Sequence, residues 1–462
     1  MQLTRAAFGK DFSWGVSTAA YQIEGAHDSD GKGASIWDRF TQQKKKIEGG
    51  HHGNIACDFY NLYRDDISLI HRLHIPNYRF SISWSRIFPE GTGSINRPGI
   101  DYYHRLIDEC LAQGIQPWIT LYHWDLPHEL EIKGGWTNRD MLGWFGGYVE
   151  FCVKEFGDRV KRWMILNEPM VFTGAGYFLG VHAPGKKGLS NFLAAAHHAA
   201  LCQAEGGRIA KSIYSDALIG TTFSYSHIEP YRDIEKDHRA VKKVDALLNR
   251  MFIEPLLGLG YPVKDLKILQ RLERFYKDGD SSRLEFRMDF AGLQNYTREI
   301  VRHATLMPFI RAKIIKASSR MVEQTQMDWE VHPPAIYHAL MRWSNYKNLK
   351  EIIVTENGAA FDDQRTGEIV NDPKRLQYIS EHINQVYRAK CAGAPVHGYF
   401  VWTLMDNFEW AEGYRPKFGL VHIDFKTQQR IVKDSGKWYS GFLEGNLPND
   451  GGPDMFPPPV SP

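Results

Sequence analysis

The chain has 462 residues, 43% of them hydrophobic, enough to bury a large core and to exclude a disordered or fibrous protein. Its 56 Lys and Arg against 54 Asp and Glu leave a formal charge of +2, which provides no basic stripe for nucleic acid. Cys57, Cys110, Cys152, Cys202 and Cys391 are odd in number, widely spaced and without a C-x-x-C, so packed, reduced thiols are expected. The first eleven residues contain no apolar signal region, and no run approaches the ~20 apolar residues of a membrane span. A cytoplasmic location and no membrane partner are the expectation.

In chain order, short apolar runs read as strands at 12–16, 78–84, 117–122, 163–166, 217–223, 290–293, 352–355 and 399–404. Helical patterns lie between them. Tyr103, Leu106, Ile107, Cys110 and Leu111 follow one helix face, and Gly114 fits that helix's end. Asp372-Pro373 opens a helix over 374–388. Eight strands alternating with helices predict a single-domain (β/α)8 TIM barrel with loop insertions over 1–445. The rival, a doubly wound sheet, would show a glycine-rich phosphate turn after its first strand. Here that strand continues through Ser17 to Gly25 with no G-x-G-x-x-G, which also argues against an NAD-dependent enzyme. The lysines of 43–46 read as solvated surface. Asn295-Tyr296-Thr297 is formally a glycosylation sequon, read as lying inside a strand run and unmodified. The Pro- and Gly-rich tail, 446–462, is expected to be extended or mobile.

Two tripeptides carry the chemistry. Glu168 in Asn167-Glu168-Pro169 and Glu356 in Thr355-Glu356-Asn357 each close an apolar strand run. A carboxylate at the C-terminal end of such a strand is where an α/β barrel does its chemistry. Two of them on separate strands suit glycosidic bond cleavage, one as acid for the leaving oxygen and one for the anomeric carbon. No His/Cys/Asp cluster has metal-ligand spacing, and two-carboxylate chemistry calls for neither metal nor cofactor. An isolated Glu at a strand end is more often a surface or salt-bridged residue; the pairing is what raises the alternative.

Several further segments sharpen this. They are Phe12-Ser-Trp-Gly-Val-Ser-Thr-Ala-Ala-Tyr-Gln-Ile-Glu-Gly25, Tyr78-Arg-Phe-Ser-Ile-Ser-Trp84, His123-Trp124-Asp-Leu-Pro127, Thr355-Glu-Asn-Gly358 and Trp402-Thr-Leu-Met-Asp-Asn-Phe-Glu409-Trp410. With Asn167-Glu168-Pro169 they make the chain, from Phe12 to about Gly441, resemble family 1 of the glycoside hydrolases, the β-glucosidase family. The resemblance implies a retaining exo-β-glycosidase acting on cellobiose, short cello-oligosaccharides and aryl β-glucosides, and on β-galactosides or β-fucosides. It implies Glu168 as acid/base and Glu356 as nucleophile, with Arg79 and Tyr296 supporting the nucleophile. It also implies a substrate-binding set of Gln22, His123, Trp124, Asn167, Trp329, Trp402, Glu409, Trp410 and Phe418. Gln294 stands where relatives carry Asn and takes that position's role, and Asp328 stands where relatives commonly carry Gly. The implied partner is a small β-glycoside; the oligomeric state is left open.

Two alternatives stand beside this reading. The 6-phospho-β-glucosidase branch puts Ser at the position of Glu409, with Lys and Tyr seven and nine residues later; this chain has Pro416 and Phe418 there, and Lys417 one residue out of place. An ionised Glu409 is expected to repel a 6-phosphate. A non-catalytic sugar-binding relative would lack one of the two Glu residues, and this chain has both.

Overall fold

All eight apolar runs become strands, and they pair in parallel to close one ring. The computed structural model describes residues 3–445; the expectation of a mobile tail over 446–462 lies outside the described residues. The strands are β1 (Ser13–Ser17), β2 (Asn77–Ser81), β3 (Gln116–Tyr122), β4 (Arg162–Asn167), β5 (Leu218–Ser224), β6 (Phe290–Gln294), β7 (Ile352–Asn357) and β8 (Val396–Trp402). Their order around the ring is sequential, and β1 pairs with β8 to complete it. Each strand is followed by one long helix: α1 (Phe59–Arg72), α2 (Arg97–Ala112), α3 (Met141–Phe156), α4 (Leu189–Ile213), α5 (Glu235–Asp245), α6 (Pro334–Trp343), α7 (Pro373–Cys391) and α8 (Asp434–Glu444). This is the TIM barrel expected from the alternation of strand and helix patterns.

The strands are apolar on both faces because two cores share them. Outward side chains pack under the helices in the large core. Inward, Trp118, Met164, Phe290, Ile353 and Phe400 form a separate cluster. The ring of Trp118 on β3 lies 5.8 Å from Phe290 on β6 and 4.8 Å from Phe400 on β8. None of these strands is a neighbour of another in the ring, so the three rings can meet only across the interior. They plug the barrel.

Several boundaries differ from expectation. The run at 78–84 stops as a strand at Ser81, and Trp84–Ile87 makes a helical turn; a buried apolar run does not itself distinguish the two. The last strand is Val396–Trp402, not 399–404, and α7 begins at Pro373 and reaches Cys391. Asn295 lies just past β6, its amide donating to the carbonyls of Tyr225 and Thr297. In the lysine run, Lys46 is not merely solvated: it donates to the Gly180 carbonyl at 3.2 Å and sits 5.1 Å from the Phe40 ring centre. Four cysteines are buried, but Cys391, the last residue of α7, is exposed. Among the described residues no helix is long and apolar enough to cross a membrane.

The loops at the C-terminal ends of the strands carry the insertions. His227–Pro230, Arg298–His303 and Ala312–Ile314 form a three-stranded sheet packed on α5. Two hairpins, Gln364–Thr366 with Ile369–Asn371 and Val421–Asp424 with Gln429–Val432, follow β7 and β8.

Candidate active site

Both carboxyl groups are aimed by a break in strand register. The pairing of β4 with β5 shifts between Met164 and Asn167, and that of β7 with β6 shifts between Val354 and Glu356. Such an irregularity bends a strand and redirects the side chains that follow. After Asn167 the chain turns into the short helix Pro169–Thr173, with Pro169 at the position that needs no donor. Glu168 is held in the left-handed region, with φ of 46°. Trp124 and Trp410, also on the cleft, are left-handed as well, with φ of 78° and 50°. Non-glycine residues in this region carry strain that the surrounding fold must impose. On β7, Asn357 is fixed by its amide donating to the Asn295 carbonyl and accepting from the Tyr399 hydroxyl. Gly358 follows because a Cβ there would lie 1.7 Å from the Trp402 carbonyl oxygen.

Asn167 is the hub beneath the cleft. Its Oδ1 accepts from Arg79 Nη2 at 2.6 Å, Thr222 Oγ1 at 2.8 Å and Gln294 Nε2 at 2.8 Å. Three donors on one oxygen set the orientation of the amide. Its Nδ2 therefore donates to His123 Nε2, at 3.0 Å. That bond leaves the imidazole proton on Nδ1, which is buried and has no protein partner among the described residues. Arg79 also pairs with Glu356 through Nη1, which donates to the Thr355 carbonyl at 3.5 Å as well, and its Nε donates to Thr120 Oγ1 at 3.0 Å. Glu356 receives a second bond from the Tyr296 hydroxyl at 2.5 Å.

These groups surround a cleft of about 290 Å³. Its lining includes His123, Trp124, Glu168, Gln294, Tyr296, Trp329, Glu356, Trp402, Glu409, Trp410 and Phe418. The remaining three expected site residues, Gln22, Arg79 and Asn167, lie below that surface and are fully buried. Gln22 orients Glu409 from beneath, its Nε2 lying 3.2 Å from Glu409 Oε2. One end of the cleft is enclosed by His123, Trp402, Glu409 and Trp410, with the His123 ring nearly parallel to both indoles at 5.9 and 6.1 Å. The other end is open, with Ser226, Met327 and Trp329 partly exposed at its rim. Asp328 is exposed beside that rim with φ of 58°, a conformation that costs Gly nothing and that Asp tolerates.

The sequence profile of glycosyl hydrolase family 1 matches residues 4–447. The chain belongs to glycosyl hydrolase family 1. As a member of family 1 it is a glycosidase. It is 42% identical to β-glucosidase A of Thermotoga maritima over 95% of this chain and 98% of that relative. It is 40% identical to β-glucosidase A of Acetivibrio thermocellus over 96% of this chain and all of that one. The solved structure of the family 1 β-glucosidase from Thermotoga maritima superimposes with a TM-score of 0.92, at 41% identity, over 96% of this chain and 99% of that one. The same enzyme in complex with glucoimidazole gives 0.91.

Within this family 1 cleft, electrostatics separate the carboxyl groups. Burial and the neighbouring Glu356 push Glu168 well above the usual carboxylate range, and Arg79 and Ser224 pull it back only in part. Burial also raises Glu356, but Arg79 and the Tyr296 hydroxyl oppose it directly on the carboxylate. Glu409 is pushed up to about 8, by burial first and Glu356 second. That shift weakens the charge expected to repel a 6-phosphate near neutral pH. Among the described residues the cleft lining includes no Lys or Arg to clamp a phosphate; the Lys417 ammonium instead lies 4.7 Å from the Phe425 ring centre. Sequence reasoning missed Ser224, Tyr225, His182, Met327 and Glu299 on the cleft wall. Ser224 ends β5 and was within reach of the strand-end rule; the others sit on loops and inserts that carry no such signal.

Proposed function

We propose that the protein is a retaining exo-β-glycosidase that hydrolyses cellobiose, short cello-oligosaccharides and aryl β-glucosides, and extends to β-galactosides and β-fucosides. One observation carries the mechanism: two carboxyl groups face one cleft in opposite settings. Glu356 is held by a cation and a phenol hydroxyl, while among the described residues Glu168 has no ion-pair partner. Ionised Glu356 attacks the anomeric carbon, the bond to the leaving oxygen breaks, and Glu168 gives that oxygen its proton. Esterification removes the charge of Glu356 and with it a cause of the raised Glu168 value, so Glu168 stays ionised. It then takes a proton from water as the water displaces Glu356, and both carboxyl groups return to their starting states.

The glucoside preference draws support from relatives named β-glucosidase, and the wider sugar range from a neighbour in complex with galacto-hydroximolactam. His123 Nδ1, Gln294 Oε1 and Gln22 Oε1, all buried without protein partners among the described residues, are fitted to bind sugar hydroxyls. A cytoplasmic location belongs to the same reading.

Replacing Glu356 with Ala should abolish turnover of nitrophenyl β-glucoside, and azide should restore it with α-glucosyl azide as the product. Proton NMR of the wild-type reaction should show the β-anomer first. Substantial turnover by the variant without azide, or an initial α-anomer, would overturn the double displacement.

A further inference from the structure

Glu299 stands on the open side of the cleft with nothing assigned to it. It lies on Arg298–His303, the central strand of the inserted sheet, and its side chain shares the cleft wall with Tyr225, Thr297 and Trp329. The neighbouring charges are engaged elsewhere. Arg298 reaches Glu330 at 2.8 Å and Glu229 at 3.1 Å, and Arg320 reaches Glu330 at 2.7 Å. Among the described residues no group donates a hydrogen bond to the Glu299 carboxyl or pairs with it within 4.0 Å. A partly exposed carboxyl on the cleft wall, with no protein partner among the described residues, is left to solvent or to a ligand. A ligand hydroxyl is the partner its position invites.

We propose that Glu299 is a specificity-determining residue on the leaving-group side, where its carboxyl hydrogen-bonds a hydroxyl of a sugar leaving group. This rests on the reading above, in which the enclosed end around Glu409 and Trp402 holds the sugar that is attacked. The leaving group then lies toward the rim, with Trp329 as its flat support and Glu299 as its polar contact. Burial pushes Glu299 to about 7, with Arg320 pulling down and Glu330 pushing up. Near neutral pH it thus serves as donor in one form and acceptor in the other, which suits hydroxyls of either orientation. An aryl leaving group offers it no such partner. Glu299 therefore favours cellobiose over nitrophenyl glucoside.

The test compares wild type, Glu299→Gln and Glu299→Leu on both substrates. Glu299→Leu should lower kcat/KM for cellobiose by at least about fivefold, from the loss of one hydrogen bond, with the aryl glucoside within about twofold of wild type. Glu299→Gln, which keeps a donor and an acceptor, should retain most of the cellobiose activity. Neither variant should melt below wild type, because the carboxyl supports nothing in the fold. Equal losses on both substrates, an unchanged ratio, a Gln variant as poor as the Leu variant, or a lowered Tm would each overturn the assignment. A wild type inactive on both substrates would instead overturn the glycosidase reading on which it rests.

Discussion

At Glu356 two partners work against burial. Tyr296 donates to Oε2 and Arg79 pairs with Oε1, and both favour the anion that attacks. Replacing Tyr296 with Phe removes one hydrogen bond to a charged group, worth about 1.5–3 kcal/mol. The sign follows from which form is stabilised: losing the bond raises the pKa of Glu356, so the acid must be removed at higher pH before attack is possible. The acid limb of kcat/KM against pH should move upward by about one to two units. The alkaline limb, set by Glu168, should move far less. A pH profile that drops in height without any shift of the acid limb would mean that Tyr296 acts only by position.

Behind the loop that carries Glu409, a buried ionic network ties α7, α8 and the loop after β8 together. Lys433 Nζ reaches Asp406 at 2.7 Å and Asp363 at 2.5 Å, while Arg375 and Ser435 bind Asp372. Burial alone would raise Asp406; Lys433 and His422 outweigh it and hold the carboxyl well below the usual carboxylate range. Changing Lys433 to Met removes the cation that Asp406 and Asp363 share, leaving Asp406 with His422 and Asp363 with Arg375, and should cost about 3 kcal/mol in urea unfolding at pH 7. A group with a depressed folded pKa stabilises above its unfolded value, about 4, and loses that contribution as the pH falls toward its folded value. The gap between wild type and variant should therefore narrow below about pH 4. An equal gap at pH 7 and pH 3 would show that packing, not charge, is what Lys433 supplies.

For the molecule as a whole, what the sequence revealed depended on burial. The eight barrel strands were legible because both of their faces are buried, which leaves continuous apolar runs such as Ile352-Ile-Val354. The inserted sheet was not: Arg298–His303 has only Ile300 and Val301 as apolar residues, set between charged and polar ones with no alternation, and its partners are three and four residues long. The carboxyl pair and the hydroxyl-binding set could be read from motifs at strand ends. Asn167 as a hub could not, because three donors from β2, β5 and β6 meet there only when the ring closes. Glu299 was invisible for the same reason, being an ordinary glutamate in a polar segment until the fold leaves it facing the cleft alone.

The end enclosed by His123, Trp402, Glu409 and Trp410 makes the chamber a cul-de-sac, and the aromatic cluster of Trp118, Phe290 and Phe400 fills the barrel interior apart from it. Whatever enters by the rim must leave by it, in order. On the proposed chemistry the leaving group stands nearest the exit and departs first, water takes its place, and the sugar that reached the dead end goes last. The proposed exo action fits this shape, since a chain end that meets the closed wall gives up one terminal unit at a time. The last molecule out also blocks the way in: glucose should inhibit hydrolysis of nitrophenyl β-glucoside competitively, raising KM and leaving kcat unchanged. A purely noncompetitive pattern would show that glucose acts away from the closed end or is not the last product to leave.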